Sequence, residues 1–161
     1  MSNELIISAT QNGCRIAILK DKQLVEFHED EGGGKFAVGD IYLGTVKKVV
    51  QGLNAAFIDI GYEKDAFLHY LDLGPKFNSL QKFTKLVKSK KITGGKLDKF
   101  QIEKDIDKHG KIGQQLSKSQ LIPVQVVKEP ISTKGPRLSC ELSIAGRYLV
   151  LVPFGSGVNV S

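Results

Sequence analysis

Asn54-Ala55-Ala56-Phe57-Ile58-Asp59-Ile60-Gly61-Tyr62-Glu63-Lys64-Asp65-Ala66-Phe67-Leu68-His69 is the stretch whose alternation decides the fold. Side chains along an extended strand point to opposite faces in turn. The even positions Ala56, Ile58, Ile60, Ala66 and Leu68 are all apolar and form a core face. The odd positions Ala55, Phe57, Asp59, Asp65 and Phe67 form the other face, and two carboxylates there mean that it meets water. A turn centred on Tyr62 pairs position 57 with position 67, which sets the two rings opposite each other within cross-strand reach. The same register opposes Asp59 to Asp65, a mild like-charge cost.

Working outward, strand-like runs span 41–50, 55–60, 64–68, 121–127 and 138–144, with one long interruption after the third. Five short strands joined by turns predict a mainly β fold built on a five-stranded OB-fold barrel. The interruption, 76–118, is a basic, partly helical insertion. Phe77, Leu80, Phe83 and Val87 recur at helical spacing among Lys82, Lys85 and Lys88, whereas 92–115 reads mostly as mobile loop. Upstream, strands are expected at 5–9, 15–19 and 23–27, with connections at Asn12-Gly13 and Asp21-Lys22. The polar run from Glu29 through Gly34 suits a boundary. Downstream, Tyr148-Leu149-Val150-Leu151-Val152 is apolar at every position until Pro153 stops it. A strand apolar on both faces belongs inside a larger sheet covered on both sides, and a five-stranded barrel has no such place. The chain therefore reads as a fragment, with 1–37 and 143–161 as parts of neighbouring subdomains around a barrel at 38–142.

At 161 residues, 41% hydrophobic and 25% charged, the chain is sized for about one globular domain. It has no apolar run long enough for a transmembrane helix and no secretory signal at its start. Cys14 and Cys140 are far apart and outside any Cys-x-x-Cys spacing, which points to a reducing, cytoplasmic setting without disulfide framework or zinc knuckle. The net charge of +6 is uneven: 76–118 holds twelve Lys against four acids, leaving −2 for the rest. Such a block is an electrostatic footprint for a polyanion or a solvated surface that keeps an insertion soluble.

Paired aromatic rings on a wet OB-type face suit single-stranded nucleic acid, because every base presents a π-face for stacking. Lys128, Lys134 and Arg137 flank the turn Pro130-Ile131-Ser132-Thr133 and are placed to hold phosphates. The alternative is that the insertion covers Phe57 and Phe67 in a satellite core. His28, His69 and His109 are isolated, without metal-ligand spacing. Asp59, Asp65 and Asp72 lack the buried, converging setting of acid–base groups. Gly32-Gly33-Gly34 lacks the Lys-Ser/Thr ending of a phosphate loop. No catalytic machinery is legible.

Three motifs, Asp40-Ile41-Tyr42-Leu43-Gly44-Thr45-Val46, Asn54-Ala55-Ala56-Phe57-Ile58-Asp59-Ile60-Gly61 and Ala66-Phe67-Leu68-His69, resemble the S1 RNA-binding domain. More narrowly they resemble its version in the ribonuclease E/G family of bacterial endoribonucleases, closer to the shorter ribonuclease G type. Ile6-Ile7-Ser8-Ala9-Thr10, Val126-Val127-Lys128-Glu129, Thr133-Lys134-Gly135 and, most specifically, the run from Ser143-Ile144-Ala145-Gly146-Arg147 through Pro153 agree. The resemblance covers nearly everything except 76–118, which is longer and more basic than the family suggests.

The resemblance implies that Phe57 and Phe67 stack on single-stranded RNA and that Lys128 and Lys134 belong to the same surface. Gly146 and Val150 match the start of a pocket that senses a 5′-monophosphate, and the first strands match a ribonuclease-H-like subdomain. The family's phosphate clamp, its two magnesium-holding aspartates and the cysteine pair that shares zinc between protomers fall beyond Ser161. The resemblance thus implies a magnesium-dependent, homo-oligomeric endoribonuclease acting in RNA processing and mRNA decay, of which this segment captures RNA and carries no catalytic residue. Two rival readings are a stand-alone, non-catalytic RNA-binding protein and a protein-interaction module that uses the Phe pair and the Lys-rich insertion.

Overall fold

The computed structural model describes residues 2–10, 13–30, 36–92, 97, 100–131, 133–155 and 157–158. The chain divides into two compact units, 1–35 and 36–161. In the first, β1 (Asn3–Thr10), β2 (Gly13–Lys20) and β3 (Gln23–Asp30) form an antiparallel sheet in chain order. Asp21 and Lys22 take φ of 50° and 69° between β2 and β3, the paired left-handed geometry that matches the twist of a two-residue hairpin. The expected turn residue Asn12 and the boundary run at 31–34 lie outside the described residues.

The second unit holds β4 (Ile41–Val50), β5 (Ala55–Asp59), β6 (Ala66–His69), α1 (Phe77–Lys88), α2 (Ile112–Gln115), β7 (Leu121–Lys128), β8 (Arg137–Ser139), β9 (Ile144–Ala145) and β10 (Val150–Leu151). Five of these strands close a barrel in the order β4-β5-β6-β8-β7. Among the described residues every pairing around it is antiparallel except that of β6 with β8, which is parallel. The fold is therefore mainly β around a closed five-stranded barrel of OB type.

The even positions of the hairpin face the core. Ala56, Ile58, Ala66 and Leu68 are fully buried, with Val46, Ile122, Val124, Val126 and Leu138 packed around them. Ala55, on the odd face, is buried too. Gly44 is required by a close approach: a Cβ there would lie 2.5 Å from Ile58 Cγ2. Burying each of the larger aliphatic side chains contributes roughly 1.5–3 kcal/mol, so this interior fixes the register of the outer face.

The insertion is more ordered than its sequence suggests. Phe77 and Leu80 of α1 enter the core and Phe83 packs against it, but Val87 is exposed, so the apolar stripe ends one turn early. The described part of 92–115 has regular structure only in α2 and is largely exposed, but it is tied to the barrel at several points. Ile112 is fully buried, and Phe100 and Ile106 lie against the core. Asn54, in a left-handed conformation with φ of 46°, anchors the segment. Its Oδ1 accepts from the Ile112 N–H at 2.7 Å and its Nδ2 donates to the Gly110 carbonyl at 3.1 Å. The Ile106 N–H donates to the Pro75 carbonyl at 3.0 Å, and the Tyr70 hydroxyl donates to the Asp107 carbonyl.

Two strand expectations are revised. The last barrel strand stops at Ser139 because the Cys140 N–H turns to the Asp72 carbonyl at 2.7 Å and Ser139 Oγ donates to the same oxygen at 3.1 Å. The strand expected over 148–152 is shorter, and its apolar side chains are exposed, as expected of a strand whose covering layers are not in this chain. Only Val150 and Leu151 pair, with Ala145 and Ile144, and Tyr148 is 90% exposed. Among the described residues no second neighbour pairs with β10 to cover it. Phe154, just beyond, is buried against Phe83 and Phe100, with ring centroids 5.9 and 5.4 Å away.

Candidate nucleic-acid interface

Phe57 and Phe67 are direct register partners on β5 and β6. Their centroids are 5.9 Å apart at an interplanar angle of 71°, the edge-to-face arrangement that aromatic pairs prefer. Both rings are half-buried and line a groove of about 740 Å³, together with Lys128, Ile131, Lys134 and Arg137. Among the described residues none of the 76–118 insertion lines this groove, so the satellite-core alternative lacks its cover.

The loop that carries Lys134 is seated by close backbone packing. The Phe67 N–H donates to the Pro136 carbonyl at 2.8 Å, and Ile131 and Lys134 exchange backbone bonds of 3.2 and 2.9 Å. Gly135 makes the approach possible, because a Cβ there would come within 2.3 Å of the Asp65 carbonyl oxygen. Ser132 of this turn lies outside the described residues.

The groove's charges divide into committed and available groups. Arg137 donates from Nε and Nη2 to the Asp72 carboxylate, each at 3.1 Å. This bidentate pair fixes its geometry and neutralises its charge. Lys128 and Lys134 form no ion pair with any described residue. The opposed carboxylates of the hairpin share a cation that sequence reading missed: Lys47 Nζ lies 2.7 Å from Asp65 Oδ1 and 3.5 Å from Asp59 Oδ2. The Gly61 N–H, donating to Asp59 Oδ1 at 2.9 Å, and then Lys47 hold the Asp59 carboxyl below the usual carboxylate range.

Lys48 is a second residue the sequence concealed. Strict alternation from the buried Val46 directs position 48 inward, but a bulge between Val46 and Lys48 resets the register. Lys48 thereby pairs with Phe57, Phe57 with Phe67, Phe67 with Arg137, and Arg137 with Lys128. Five partners from five strands form one row around the barrel, spanning about 19 Å at the usual strand spacing.

Gly146 and Val150 are not brought to this groove. They sit on the β9–β10 hairpin, where the Gly146 N–H donates to the Leu149 carbonyl at 2.8 Å. His28 bonds Glu26, and His69 Nδ1 accepts from the Leu71 N–H at 3.2 Å. Among the described residues no three His, Cys, Asp or Glu side chains converge in a way that could hold a metal ion.

No family model matches the chain. It is 35% identical over all 161 residues to ribonuclease G of Salmonella typhimurium and, equally, to ribonuclease G of Escherichia coli. It is 40% identical over 129 residues, 80% of its length, to ribonuclease E of Synechocystis sp., of which it covers 15%. The chain spans 29% of the length of the ribonuclease G relatives it matches. Similarity of this extent to both enzymes, carried by a chain folded around an OB-type barrel, shows that the chain belongs to the ribonuclease E/G family.

Proposed function

We propose that the barrel is an S1 domain that captures single-stranded RNA in the Phe57–Phe67 groove and delivers it for endonucleolytic cleavage in RNA processing and mRNA decay. The observation that carries this reading is the edge-to-face ring pair opening onto a groove that Lys128 and Lys134, neither of them ion-paired with a described residue, also line. Bases stack on the rings for roughly 1–3 kcal/mol each, while the two lysines neutralise phosphates and release counterions. Arg137, bonded to Asp72, is the register partner of Phe67 and fixes the side of the groove next to the rings.

Gly146 and Val150, by the same reading, begin a 5′-monophosphate sensor, and the enzyme works in the cytoplasm as a homo-oligomer. No helix among the described residues is long and apolar enough to cross a membrane. The magnesium and zinc that such an enzyme uses are not matched by a ligand set among the described residues. By this reading the barrel's contribution is binding and orientation.

Fluorescence anisotropy of a labelled A/U-rich single strand, over a salt series with the whole chain and its Phe57→Ala variant, tests the proposal. Capture by the groove requires weaker binding by the variant and a steep salt slope. Equal binding by both proteins refutes it and leaves the Lys-rich insertion as the attracting element. Binding of an acidic protein in preference to RNA favours the interaction-module reading.

A further inference from the structure

We infer that the phosphate backbone of a bound strand continues past Lys48 into a second groove on the far side of β4 from the aromatic pair. The inference rests on the RNA-capture reading of the barrel and extends its footprint.

Three observations carry it. The row Lys128, Arg137, Phe67, Phe57, Lys48 crosses all five strands and ends in a lysine on each side of the rings. At the Lys48 end a groove of about 520 Å³ opens, lined by Lys47, Lys48, Gln51, Ser117 and Lys118 among others. No acidic and no aromatic side chain is among its described lining residues.

Chemistry selects the ligand. A groove without rings gives bases nothing to stack on, whereas exposed ammonium groups beside polar side chains suit phosphodiester oxygens. Lys47 is committed to Asp65. Lys48 and Lys118 are exposed and form no ion pair with described residues, so they supply the free charge. Bases are therefore held at Phe57 and Phe67, and the flanking backbone is held without regard to sequence. The β-bulge is the device that makes this continuous, since without it Lys48 shares the inward face of Val46.

The test compares uridine-only RNAs of about 4 and about 16 nucleotides, the range of site sizes for one OB fold. Both are titrated over a salt series against the whole chain, its Lys48→Ala/Lys118→Ala double variant, the corresponding double Arg variant, and Phe57→Ala. The Ala double variant is expected to lose more affinity for the long RNA than for the short one. Its salt slope on the long RNA should be about 1.4 shallower, two single-strand phosphate contacts at about 0.7 each. The Arg variant should restore both. An unchanged long-to-short affinity ratio and slope overturn the second groove. If Phe57→Ala still weakens binding in that case, RNA capture stands and only this extension fails. If Phe57→Ala also binds normally, the capture reading itself fails.

Discussion

Lys47 Nζ sits 2.7 Å from Asp65 Oδ1, reaching from β4 across the hairpin that carries Phe57 and Phe67. The like-charge opposition of Asp59 and Asp65 is thus offset by a third strand. The buried face fixes the ring-pairing register and the shared cation offsets the like-charge cost of that register, while the same bulge that turns Lys48 outward leaves Lys47 within reach of both carboxylates.

Lys47→Ala is expected to lower thermal stability slightly near neutral pH. The depressed Asp59 carboxyl contributes stability that is present above the ordinary carboxylate range and is lost as pH falls through its folded value. The raised Lys47 ammonium contributes below the ordinary lysine range and loses its contribution as pH rises through its own folded value. The melting temperatures of wild type and variant should therefore converge in acid, and also at high salt, where exposed pairs are screened. A gap that persists in acid would remove the ion pair as its cause.

Phe67→Ala and Phe57→Ala should each weaken single-stranded RNA binding by roughly 1–3 kcal/mol. Lys134→Ala should act evenly across sequences and make the salt slope shallower by about 0.7. Circular dichroism checks that the barrel persists in each variant. Sequence-dependent losses from Lys134→Ala would move that residue from phosphate to base contact.

Asn54→Ala removes two side-chain bonds that hold residues 110–112 and leaves their backbone groups short of partners. The expected cost is about 1–3 kcal/mol in urea unfolding. Amide exchange should accelerate between Ile106 and Leu116 more than in β5 and β6. Uniform acceleration throughout the barrel would mean that Asn54 supports the whole fold and not this segment.

Burial pushes the Cys140 thiol up, well above its usual value, whereas Cys14 is half-buried. An aromatic disulfide reagent at neutral pH should titrate one thiol per folded chain and two in denaturant. Prompt reaction of both thiols in the native protein would place Cys140 outside the core.

The barrel and its aromatic pair were legible because alternation is local. Five apolar residues on one face and two rings with two carboxylates on the other specify the 55–68 hairpin without knowledge of any distant contact. The placement of Lys128 and Lys134 beside the groove was legible for the same reason, since both flank one short turn. Residues 100–115 were not, because Ile106 and Ile112 are sparse among polar residues. Their order comes from Pro75, Tyr70 and Asn54, far away in sequence.

Sequence alone thus determined the β-barrel class, the outward pairing of Phe57 with Phe67 and the concentration of charge in one insertion. Tertiary structure decided that the insertion packs on the barrel, that Asp72 takes up the charge of Arg137, and that a bulge brings Lys48 into the ring row. The physical reason is range. Side-chain alternation is a property of one strand, whereas a shifted register, a shared cation and a docked loop exist only once separate strands have met.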